Sequence, residues 1–88
     1  MTIDLFEIQS MINQYEAQIA PFREAEEEAT RLHQAINTAL QCGRLGLANE
    51  LRESWQIATA VRDRLETFFA GELDELERLN RQFVRLAA

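Results

Sequence analysis

Apolar residues recur every three or four positions along almost the whole chain, and that spacing admits little besides α-helix. Leu5, Ile8, Ile12, Tyr15, Ile19 and Phe22 form the first stripe, one face of a helix at 100° per residue. Asp4 stands ahead of it with Glu7 three positions on, the spacing of a capping-box-like start. Pro21 interrupts the helix, because it has no N–H to donate and crowds the preceding turn. A second stripe follows through Phe22, Ala25, Ala29, Leu32, Ile36 and Ala39, its phase slipped by one residue. The slip implies a kinked long helix or a break into two, and the acidic run Glu24, Glu26, Glu27 and Glu28 favours a fresh helix start.

Cys42-Gly43-Arg44-Leu45-Gly46 is the one strong turn, since Gly43 can take the left-handed conformation that ends a helix. In the third helix Leu47, Ala48, Leu51, Trp55, Ala58, Leu65 and Phe69 share a main face. Ile57, Val61 and Phe68 widen the apolar arc to roughly half the circumference, enough to touch two neighbours. Beyond Gly71 the stripe continues through Leu73, Leu76, Leu79, Phe83 and Leu86, with acids early and Arg78, Arg81 and Arg85 late, in keeping with the helix dipole. The expected fold is all-α: one helical domain over residues 1–88, an antiparallel helical hairpin or a small helix bundle. Breaks are expected near Pro21, Gly43–Gly46 and Gly71, and in a hairpin Pro21 and Gly71 would fall at one level.

An 88-residue domain buries a smaller share of its surface than a larger one, so a second subunit or a partner contributes to its stability. The formal charge is −6, and all 9 cations are arginine. That balance argues against direct nucleic-acid binding, which needs clustered cations, and suits a basic protein surface better. No stretch approaches the ~20 apolar residues that span a bilayer, and the N-terminus lacks the pattern of an export signal. With Cys42 the single cysteine, a reducing cytoplasm is the expected setting.

Catalytic, metal and cofactor chemistry finds no foothold. His33 is the only histidine, and Thr30 occupies the position a Glu-x-x-His motif would need. Cys42, at a helix C-terminus, meets the end of the dipole that disfavours a thiolate. Gly43 to Gly46 is too short for a phosphate loop. Small helical chorismate mutases share the size, but that family grips its dianionic substrate with several Arg and a Lys, and lysine is absent here. In size and hairpin plan, with one strong turn at Gly43 to Gly46, the chain resembles the small helical co-chaperones of bacterial protein-export machines.

The sequence therefore points to a protein-protein interaction module, an adaptor, co-chaperone or inhibitor working through helix packing as a homodimer. The alternative is an acidic inhibitor of another protein's basic, nucleic-acid-binding surface, such as a phage-type anti-defence protein. Candidate partner-binding residues are Phe6, which points away from the first stripe, the acids Glu24, Glu26 and Glu27, and Ile57, Val61 and Phe68. Ile3 is off the first stripe as well. Arg62 falls within the apolar face of the third helix and Glu28 within that of the second. An antiparallel hairpin brings them within one position of level, which predicts a structural ion pair between them.

Overall fold

A computed structural model describes residues 4–88, which form four α-helices and no strand: α1 (Leu5–Gln18), α2 (Ala20–Gln41), α3 (Leu45–Phe68) and α4 (Ala70–Ala87). Ile3 lies outside the described residues. The start of α1 is capped as its sequence predicts, with the Glu7 N–H donating to Asp4 Oδ1 at 2.8 Å.

A single residue separates α1 from α2. Ile19 leaves helical geometry (φ −93°, ψ 11°), yet its N–H still reaches the Tyr15 carbonyl at 3.0 Å, and its own carbonyl accepts from Phe22 and Arg23. Pro21 then falls in the first turn of α2, where its missing N–H leaves no intrahelical bond unmade. The second break falls at Phe69 (φ −97°, ψ 17°), two residues before Gly71, which lies inside the first turn of α4. Ile19 and Phe69 stand at the same height, and both turn inward onto one core cluster. The bend is therefore a property of the packed pair, and the glycine does not set it.

At the far end the chain reverses through a Schellman motif. Gly43 has φ +71°, its N–H reaches the Leu40 carbonyl at 3.1 Å, and the Arg44 N–H reaches the Ala39 carbonyl at 2.8 Å. From that turn α2 runs back against α3 and α1 against α4; neither α1 with α3 nor α2 with α4 makes a helix contact among the described residues. The result is the long bent hairpin rather than a four-helix bundle.

Two apolar clusters hold it. Ile8, Ile12, Ile19, Leu76 and Leu79 form the α1/α4 core with Tyr15, Phe69, Leu73 and Phe83 against it. Ala29, Leu32 and Ala58 form the α2/α3 core with Leu51 and Trp55. Facing pairs such as Ala29 with Ala58, and Leu32 with Trp55, have numbers that add to about 87, which fixes the height of every residue along the hairpin.

The molecule measures 60 × 27 × 15 Å, two helices wide and one helix thick. Its radius of gyration is 17.8 Å, where a compact chain of this length has about 12 Å. Both broad faces of the slab are open.

Candidate interaction surface

The apolar arc of α3 is wider than α2 can cover. Its seam with α2 is centred on Leu51, Ala58 and Leu65; Ile57, Val61 and Phe68 lie about a quarter turn away, within roughly 40° of one another. They look out of one broad face, 68%, 45% and 76% exposed. Phe68 is held there by an edge-to-face contact with Phe69, whose ring packs into the α1/α4 cluster with centroids 4.9 Å apart.

Between α2 and α3 on this face runs a groove with a small-residue floor. Ala25, Glu28, Leu32, Ser54 and Ala58 line one stretch of about 320 Å³ below Ile57 and Val61. Ala35, Ala39, Leu47 and Leu51 line a second stretch of about 310 Å³ nearer the turn, where the exposed Cys42 closes it. Large side chains on the rim and small ones on the floor suit an apolar helix more than a small molecule.

The opposite face of the α2/α3 pair is polar. His33 lies against Trp55 there, ring centroids 6.1 Å apart, and Arg62 reaches across to line a polar recess with Glu26, Glu27, Thr30, Arg31 and Gln34. This placement corrects the expected Glu28 to Arg62 ion pair, which is not formed among the described residues. Arg62 binds its neighbour Asp63 at 3.0 Å, and Glu28 binds Arg31 one turn along its own helix, with Arg31 Nε 3.0 Å from Oε2. The two residues are close in height, but Glu28 lines the apolar groove on one face and Arg62 the polar recess on the other.

Two ion pairs split the acidic run. Arg23 spans Glu16 of α1 and Glu26 of α2, at 3.3 and 3.2 Å. Hydrogen bonding to the Glu16 carboxylate, then to Glu26, raises the Arg23 guanidinium above its ordinary value. Glu28 is held by Arg31. Glu24 and Glu27 are exposed and make no ion pair among the described residues. The run occupies the second and third turns of α2, past the first turn where the helix dipole acts most strongly.

Phe6 is 81% exposed on α1. It lies near the open end of the hairpin, some 25 positions in height from Ile57, or roughly 37 Å at 1.5 Å per residue. The structure does not bring Phe6 together with the α3 patch. A surface that the sequence reading missed is a groove of about 660 Å³ along α4, walled by Leu73, Leu76 and Val84 and by Arg23, Arg81 and Arg85. Val84, 66% exposed and off the α4 stripe, was its one sequence signal.

Among the described residues no helix is long and apolar enough to cross a membrane, and no three His, Cys, Asp or Glu side chains converge on a common point. Compared with models of protein families, with curated proteins and with solved structures, the chain matches none.

Proposed function

We propose that this chain is a protein-interaction module that acts as a homodimer through the open face of α2 and α3, in an adaptor, co-chaperone or inhibitor role. The observation that carries the reading is the exposure of Ile57, Val61 and Phe68 along one face of a hairpin only 15 Å thick. Contiguous apolar side chains beside an apolar groove mark a docking surface more often than a solvated one. The acidic-blocker alternative draws on Glu24 and Glu27, because Glu26 and Glu28 are already occupied by Arg23 and Arg31.

Sedimentation or light scattering at micromolar concentration, with the Ile57→Asp and Val61→Asp double variant beside the wild type, tests the reading. A wild-type dimer that the double variant abolishes while keeping its helical circular dichroism supports it. A wild type that stays monomeric at high concentration and binds its partners with a steep loss in salt favours the acidic blocker.

A further inference from the structure

We infer that the occupant of the α2/α3 face is a second copy of the same chain, placed by a two-fold axis along the hairpin so that Arg64 of one copy meets Glu24 of the other. The inference rests on the reading above and adds the geometry of the contact.

The area is sufficient. The chain exposes 6548 Å², whereas a compact protein of its mass exposes roughly 5,300 Å². The excess, about 1,200 Å² spread over the whole slab, leaves room for the ~800 Å² that each partner contributes to a standard interface. Dipoles agree as well: a rotation about the long axis lays α2 of each copy over α3 of the other, so that every helix in the resulting four-helix bundle has antiparallel neighbours. Val61 then lies level with Ala25 of the opposing α2.

Charge selects this axis. Rotation about the length of the hairpin leaves each residue at its own height. Arg64 is level with Glu24 because their numbers add to 88, close to the sum that the packed pairs obey. Arg64 projects from the outer rim of α3 beyond the apolar patch, while Glu24 projects from the outer rim of α2, on the far edge of the same hairpin. Both are exposed and make no ion pair within the chain among the described residues. In the proposed dimer they are brought to one rim, twice over. A two-fold axis across the hairpin would reverse the heights and separate them.

The test is charge reversal with complementation, read as the dimer dissociation constant by sedimentation. Arg64→Glu sets like charges across both rims, and so does Glu24→Arg; each alone should weaken its own dimer tenfold or more. Mixed in equal amounts, the two variants should form a heterodimer of near wild-type affinity, because both rims then carry opposite charges. Circular dichroism melts of each variant confirm folding at these exposed positions. A dimer indifferent to either reversal, or variants that do not rescue one another, overturns the geometry and leaves the interaction reading standing. A monomeric wild type overturns both the geometry and the homodimer.

Discussion

Glu75 and Arg78 make a direct ion pair one turn apart on α4, and hydrogen bonding to the guanidinium holds the Glu75 carboxyl below the usual glutamate range. A depressed carboxylate contributes its stabilisation above the ordinary glutamate range, and that contribution disappears as pH falls through the depressed value. Carboxyl NMR should therefore show Glu75 titrating below the ordinary glutamate range, and Arg78→Gln should return it to that range. The pair is exposed, so stability itself should change little. Glu28 and Arg62 teach the opposite lesson about reading ions from sequence. Their numbers locate them at similar heights, because height advances only 1.5 Å per residue, but a single residue also turns the helix by 100°. The near match in height was legible; the opposite faces were not. A double-mutant cycle with Glu28→Gln and Arg62→Leu should give a coupling below about 0.5 kcal/mol, the additivity expected of groups that share no partner.

At the scale of elements, the stripes predicted all four helices, because burial of one face and helical periodicity are the same signal. The breaks were harder. Pro21 names its own break through its missing N–H, and Gly43 through its left-handed backbone. Gly71 marks its break to within two residues, as Pro21 does, because a glycine lowers the cost of a break without fixing its position, and the two residues where the helices part, Ile19 and Phe69, both join one core cluster. The two glycines should separate by mutation. Gly43→Ala forces a side chain into φ +71° and should cost about 1–2 kcal/mol in denaturant melts. Gly71→Ala adds a Cβ into open space within α4, and should gain about 0.5–1 kcal/mol from the lost freedom of the unfolded chain. Equal effects at both positions would contradict this assignment of their roles.

For the whole molecule, the sequence showed that α3 has more apolar surface than one neighbour can cover, but not that the fold would leave it open. A compact bundle would have turned Ile57 and Val61 inward; the level breaks at Ile19 and Phe69 extend the hairpin instead, and the slab keeps them at its surface. The α4 groove was invisible for a related reason, since Arg23 enters it from α2, and the stripes show where a helix breaks but not which side chains the break brings together. A slab with one-sided cores gains stability from whatever covers its face. If a second copy covers it, folding and association are linked, and the melting temperature must rise with protein concentration. Wild-type protein melted at concentrations a hundredfold apart should show midpoints separated by several degrees, since a hundredfold in concentration is worth about 2.7 kcal/mol per dimer by mass action, and about 1 kcal/mol moves a domain of this size by 4–8 °C. Val61→Asp should melt lower and at one temperature throughout. Coincident wild-type midpoints across that range would mean that the hairpin stands alone, its open face kept for a different protein.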